Sequence, residues 1–164
     1  MKANQSGFQI RPVTKEELPV LLSLIKELAE YEKLSHMVET TVEGLEKHVL
    51  GEQGVARAVM GWVDGEAVGY AIWFYNFSTF VCKPGLYLED VYVKEMCRGK
   101  GYGKAFLVYL AKLAKEKDCG RFEWVVLDWN EPSIRFYESL GATLMKEWII
   151  TRVDGPSLEE LAAK

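Results

Sequence analysis

Apolar and polar residues along this chain recur with two periods, and the switches between them predict its elements. "FQIRPV" (Phe8–Val13) alternates with a period of two, as a strand does. Leu18, Leu21, Leu22, Ile25 and Leu28 then recur at the spacing of one helical face, in a helix running to about Leu34. Thr14 followed by Glu17 is a capping-box pattern that would open this helix. Thr40 with Glu43 repeats the signal before a shorter helix ending near Gly51. "VARAVMGWV" and "AVGYAIWFYNF" read as two strands joined by Asp64–Gly65, a strong hairpin signal. "STFVCKPG" reads as a loop that turns at Pro84–Gly85, and "LYLEDVYV" as the strand after it.

An amphipathic helix follows in "GKAFLVYLAKLAKEK", with Phe106, Leu107, Leu110, Leu113 and Ala114 inward. "RFEWVVLDW" reads as a buried strand, "EPSIRFYESL" as a helix begun at Pro132, and "TLMKEWIITRV" as a closing strand. Gly141 sits where a helix stop favours a left-handed residue, and "SLEELAAK" allows a last helical turn. The order β-α-α-β-β-β-α-β-α-β predicts an α/β fold with a mixed, mostly antiparallel central sheet and helices on both faces. No linker, repeat or low-complexity tract interrupts it, so residues 1–164 read as a single domain.

Composition narrows the partners. A net charge of -4 opposes a nucleic-acid binder held by phosphate neutralisation, and no basic stripe accompanies the aromatic residues. No apolar run approaches the roughly 20 residues that span a membrane, and "MKANQSGFQI" lacks the apolar core of a secretory leader. Cys82, Cys97 and Cys119 are odd in number with no CxxC spacing, which points to a reducing, cytoplasmic setting rather than a disulfide framework. Two histidines, His36 and His48, suggest no metal site.

The stretch "RGKGYGKAF" (Arg98–Phe106) places glycines at 99, 101 and 103 where a helix should begin, although each costs about 1 kcal/mol relative to Ala inside one. A P-loop needs a Gly five residues before its Gly-Lys pair and a Ser or Thr after it; Arg98 and Ala105 stand there. The dinucleotide pattern G-x-G-x-x-G fails at Lys104. What remains is R-x-x-G-x-G, formed by Arg98, Gly101 and Gly103 between a strand and a helix. Such a loop can bring its backbone close to a phosphate beside the positive end of the helix dipole. It is equally readable as a glycine-rich turn flanked by solvated basic residues.

The residues downstream favour the first. "GLYLEDVYVKEMCRGKGYGKAF" followed by "DWNEPSIRFYESLGA" resembles the GNAT acyl-CoA-dependent N-acetyltransferases: an R-x-x-G-x-G loop, then N-x-x-[SA]-x-x-[FL]-Y-x-x-x-G. Within that family, "LIKELAEYEKL", "LYLED" and "WNEPSIRFY" are similar to the diamine (spermidine/spermine) and thialysine acetyltransferases. The resemblance implies acetyl-CoA as cosubstrate, bound where two parallel strands, Leu86–Val93 and Arg121–Leu127, splay apart. It implies that the backbone of Val91 and Val93 pairs with the pantetheine arm. The pyrophosphate would rest on the N–H groups of Arg98, Gly99, Lys100, Gly101, Tyr102, Gly103 and Lys104, with Asn130 near the reactive end. It also implies a homodimer, no metal, and a small-molecule amine as partner.

Acetyl transfer needs a neutral amine, a polarised carbonyl and a proton for the leaving thiolate. A lysine-like amine has a pKa of about 10.4, so roughly one molecule in a thousand is ready to attack at neutral pH. The resemblance implies Glu89 as the base, acting through water, Asp90 as the attractor of the cation, and Tyr137 as the acid. Adjacent strand residues point to opposite faces, so Glu89 and Asp90 share a site only where a bulge or the splay re-aims one. Tyr31 and Glu32 match positions that bind the substrate's cationic tail in the diamine enzymes.

Two features depart from those enzymes. The loop before "LYLED" carries Phe80 and Val81 in place of a tryptophan, and the stretch between Gly141 and Trp148 is short, with Glu147 as its carboxylate. Both favour a shorter or zwitterionic amine over a long polyamine. Protein lysine or N-terminal acetylation, and a non-catalytic acyl-CoA sensor, are the alternative readings.

Overall fold

A computed structural model describes residues 7–164; the absence of an apolar leader concerns a stretch that lies partly outside them. The chain divides into two compact units, one ending at Val125 and the other spanning Val126–Lys164.

The first unit is built on a five-stranded sheet in sequential order β1-β2-β3-β4-β5. Its strands are β1 (Gln9–Pro12), β2 (Arg57–Val63), β3 (Glu66–Ser78), β4 (Lys83–Val93) and β5 (Arg121–Glu123). The first four pair antiparallel, and β5 runs parallel to β4. Asp64 and Gly65 both take positive φ, 50° and 82°, and close the β2–β3 hairpin as the sequence predicts.

Both faces of the sheet are covered, which is why β2 and β3 read as nearly continuous apolar runs. On one face Met60, Tyr70 and Ile72 pack with Leu18, Leu21 and Leu24 of α1 (Leu18–Tyr31) and with Leu45 at the end of α2 (Val42–Leu45). On the other, side chains added at Gly61 and Gly69 would meet Phe106 of α3 (Tyr102–Glu116). Gly69 also passes directly against the Tyr92 carbonyl, so a small residue is required there. Fully burying each leucine of α1 stabilises the fold by about 1.5–3 kcal/mol.

Several boundaries differ from the sequence reading. The Thr14–Glu17 box forms, with the Glu17 carboxylate accepting the Thr14 N–H at 3.0 Å, but it opens a short tight turn before α1 proper begins at Leu18. Thr41, rather than Thr40, caps α2 by accepting the Gly44 N–H at 3.0 Å. Pro84–Gly85 is not the turn: both lie in β4, opposite Phe77 and Asn76, and the reversal falls on the residues before Lys83, with Cys82 at φ 52°. Pro84 fits the strand because its carbonyl, not a missing N–H, is used, accepting from Gly120 at 2.8 Å.

The strand expected over "RFEWVVLDW" pairs for three residues only. Register runs Gly85–Arg121, Leu86–Phe122 and Tyr87–Glu123, and then stops while β4 continues to Val93. The parallel pair of the expected fold is present, but its second strand ends at Glu123 rather than Leu127, and apolar character alone could not have marked where pairing ends.

The second unit holds α4 (Glu131–Ser139) and α5 (Gly155–Ala162). Gly141, at φ 91°, ends α4 in the left-handed conformation the sequence predicts. The expected closing strand in "TLMKEWIITRV" does not form; Trp148 and Ile149 are 72% and 84% exposed. β-Branched and aromatic residues signal a strand's propensity, but a strand exists only with a partner for its backbone, and no strand pair lies within this unit.

Candidate active site

The glycine loop follows β4 directly. Gly99 and Gly101 take φ of 75° and 85°, which side-chain-bearing residues rarely adopt, whereas Gly103 lies within the first turn of α3. Gly101 is the N-cap, and the first intrahelical bond runs from Ala105 N–H to its carbonyl at 3.0 Å. The N–H groups of Tyr102, Gly103 and Lys104 therefore precede the helical ladder, at the positive end of a 15-residue helix. A Cβ at Gly99 would meet no atom within 4 Å, so the loop's outer side is open. This chemistry fits a pyrophosphate. A cavity of about 300 Å³ beside the loop is lined by Asp64 and Glu66 of the hairpin and by Cys97, Lys100 and Tyr102, and by none of the expected catalytic side chains.

Beyond Tyr87, β4 has lost its β5 partner, and this stretch carries Glu89, Asp90, Val91 and Val93. Its other edge pairs with β3, where Asp90 opposes Ile72 and Leu88 opposes Trp73, leaving Glu89 as an extra residue. A β-bulge thus breaks the strict alternation at the position where the two carboxylates need it broken.

The two carboxylates sit in different surroundings. Glu89 is exposed. Asp90 is largely buried and accepts a hydrogen bond from the hydroxyl of Tyr70, itself fully buried, at 3.2 Å. Burial first, and the charges of Glu89 and Glu32 after it, push the Asp90 carboxyl from the usual 3.8 up to about 6, against the pull of the Tyr70 bond. Glu32 caps the C-terminal end of α1 and is likewise shifted upward by burial. Tyr31, Glu32, Asp90 and Arg98 come together at this end of the sheet. The Arg98 guanidinium lies 4.7 Å from the Tyr31 ring centroid, and its Nε–H donates to the Val93 carbonyl at 3.1 Å. That carbonyl keeps a second lone pair, so the contact leaves Val93 able to pair with another group.

Asn130 and Tyr137 belong to the second unit. Asn130 is buried and N-caps α4, its Oδ1 accepting the Ser133 N–H at 3.4 Å, a role the sequence reading did not assign. Tyr137 lies half-buried on α4 with its ring 5.4 Å from that of Phe136, and its carbonyl accepts from Leu140 and Ala142 as the helix ends.

Tyr70 was missed. Its signal was present: a tyrosine in an otherwise aliphatic core run must find a partner for its hydroxyl, and Asp90 is within reach across the β3–β4 pair. Among the described residues, no cluster of three or more His, Cys, Asp or Glu could hold a metal, and no helix is long and apolar enough to cross a membrane.

A mixed sheet with an opened parallel pair, and a glycine loop leading into a helix at its mouth, define an acyltransferase architecture. The Acetyltransferase (GNAT) family profile matches residues 21–142, and the chain belongs to that family as an acetyl-transferring enzyme. The chain is 33% identical to the thialysine N-epsilon-acetyltransferase of Mus musculus, across 97% of this chain and 99% of that protein. An L-ornithine N5-acetyltransferase of Arabidopsis thaliana is 41% identical over 60% of this chain and 43% of its own length. Among solved structures, an integron cassette protein from the V. cholerae mobile metagenome superposes with a TM-score of 0.80 at 24% identity, covering 96% of this chain and 99% of that one; it shares the fold.

Proposed function

We propose that this enzyme transfers acetyl from acetyl-CoA to the primary amine of a small cationic metabolite: a diamine, a polyamine or a thialysine-like amino acid. The observation that carries the reading is the carboxylate group of Glu32, Glu89 and Asp90 at the unpaired end of β4, beside the glycine loop. Relatives that act on thialysine and ornithine support it. The entire chain, 1–164, works as one acetyltransferase domain, and the family resemblance points to a homodimer in the cytoplasm.

Acetyl-CoA supplies the activated acetyl group, which the amine attacks directly. Its pyrophosphate is held by the backbone of Arg98, Gly99, Lys100, Gly101, Tyr102, Gly103 and Lys104, and its arm by the backbone of Val91 and Val93, with Asn130 near the thioester. Asp90, Glu32 and Tyr31 draw in the ammonium, and Glu89, exposed to solvent, takes its proton through water. A backbone N–H on the free edge of β4 polarises the carbonyl, and the Tyr137 hydroxyl gives a proton to the departing thiolate.

A thiol-release assay with acetyl-CoA tests this against spermidine, putrescine, lysine, ornithine, thialysine and an aminoglycoside. Turnover is expected with at least one of spermidine, putrescine, ornithine and thialysine, and not with the aminoglycoside. Acetyl-CoA binding without any acceptor would reject the amine reading, and failure to bind acetyl-CoA would reject the loop assignment.

A further inference from the structure

Arg98 begins the glycine loop, where an arginine invites the reading of a phosphate ligand. Its side chain is engaged elsewhere. The Nε–H is bonded to the Val93 carbonyl, and the guanidinium carbon stands 4.7 Å from the centroid of Tyr31 and 5.8 Å from that of Tyr92. Tyr92 is buried, and its hydroxyl donates to Glu27 of α1 at 3.1 Å. One side chain thus ties together β4, the loop and the last turn of α1. Backbone bonds close that turn, Glu32 N–H to the Leu28 carbonyl at 2.9 Å and Leu34 N–H to the Ala29 carbonyl at 2.8 Å, and Lys33 at φ 61° then reverses the chain. A lysine at 98 could supply charge, but not a planar face on the ring together with an Nε–H bond.

We propose that Arg98 is a positioning residue for the amine acceptor: by holding the Tyr31 ring it fixes the turn of α1 that presents Glu32 beside Asp90. The proposal rests on the acceptor role given above to Tyr31 and Glu32. It assigns the motif's arginine to the opposite substrate from the one its place in the loop suggests.

The test uses Arg98→Met and Arg98→Lys in the full chain, with spermidine and thialysine as amine probes and calorimetric titration of acetyl-CoA. Arg98→Met is expected to raise the amine KM about fivefold to tenfold while the acetyl-CoA Kd stays within about twofold, and Arg98→Lys is expected not to restore it. A tenfold weaker acetyl-CoA Kd with unchanged amine KM would make Arg98 a phosphate ligand and overturn the proposal. Parallel changes in both constants, or none, would overturn it as well. A readout without turnover is the urea midpoint of Arg98→Met, Tyr31→Leu and the double variant: the effects should fall short of additive, and additivity refutes the contact. If the unmodified enzyme acetylates no amine, the acceptor reading itself fails. If it does so but the constants do not separate, only the role of Arg98 is lost.

Discussion

Replacing Asp90 by Asn should make the protein more stable and a poorer enzyme. Asp90 is held among β3, β4 and the end of α1, facing the Tyr70 hydroxyl and the carboxylates of Glu89 and Glu32. Its carboxyl titrates near about 6 in the folded chain, against 3.8 when unperturbed. A raised folded value means that folding favours the protonated form. The resulting stability is fully present below 3.8 and is lost as pH rises through 6. At pH 7.5 the folded state therefore carries a penalty of about 3 kcal/mol for keeping this anion out of water. Asn keeps an oxygen for the Tyr70 O–H and carries no charge, so most of that penalty should vanish. Urea unfolding followed by tryptophan fluorescence should show Asp90→Asn more stable by about 2–3 kcal/mol at pH 7.5, falling to about half by pH 5. The amine KM should rise at the same time. Equal or lower stability at pH 7.5, or a gain that does not shrink at pH 5, would refute the burial argument.

Three further outcomes are expected. Tyr137→Phe should lower turnover by about 10²–10⁴-fold while the acetyl-CoA Kd changes less than about twofold; unchanged turnover would remove the acid assignment. Tyr70→Phe removes the one interaction that pulls the Asp90 carboxyl down, so the acid-side rise in amine KM should move about one pH unit above its position in the unmodified enzyme. A coincident pH profile would show that Asp90 does not govern binding. Gly69→Ala drives a methyl group into the Tyr92 carbonyl and Phe106, and should cost about 2 kcal/mol or more in a denaturant titration; a neutral result would mean that β3 and β4 can move apart there.

Much of the first unit was legible because its residues obey one rule at a time. The leucine stripe of α1, the Asp64–Gly65 hairpin and the apolar runs of β2 and β3 each follow from local pattern and turn chemistry. What failed depended on partners. Pro84–Gly85 looks like a turn, yet the ladder with Phe77 and Asn76 keeps both in β4. "RFEWVVLDW" has strand composition throughout, but β5 and its register with β4 end at Glu123. "TLMKEWIITRV" is rich in β-branched and other strand-forming residues and finds no strand to pair with in its unit. At the site, the motif residues were findable by spacing, and the Asn130 cap is equally local, its partner being the Ser133 N–H three residues on. Tyr70 and the folded-back Arg98 were not, because each depends on which group lies across from it, and spacing along the chain does not report that.

The bulge at Glu89 joins these threads into one physical argument. Two adjacent acids on a regular strand would face opposite ways, and at most one could serve a ligand. The extra residue between the Asp90–Ile72 and Leu88–Trp73 pairs breaks that alternation, leaving Glu89 exposed while Asp90 lies against Tyr70. One acid is thus left in water, which is where the proposed base needs to be. The other is kept largely out of water, where its charge attracts a cation strongly because it is costly to hold. Without the bulge, regular alternation would turn the two acids to opposite faces, and they could not serve one ligand even with both residues retained. Deleting Glu89 should therefore raise the amine KM more than Glu89→Gln does, although both remove the same carboxylate. Equal effects of the two changes on amine KM would mean that the chemistry of Glu89 matters and its place in the register does not.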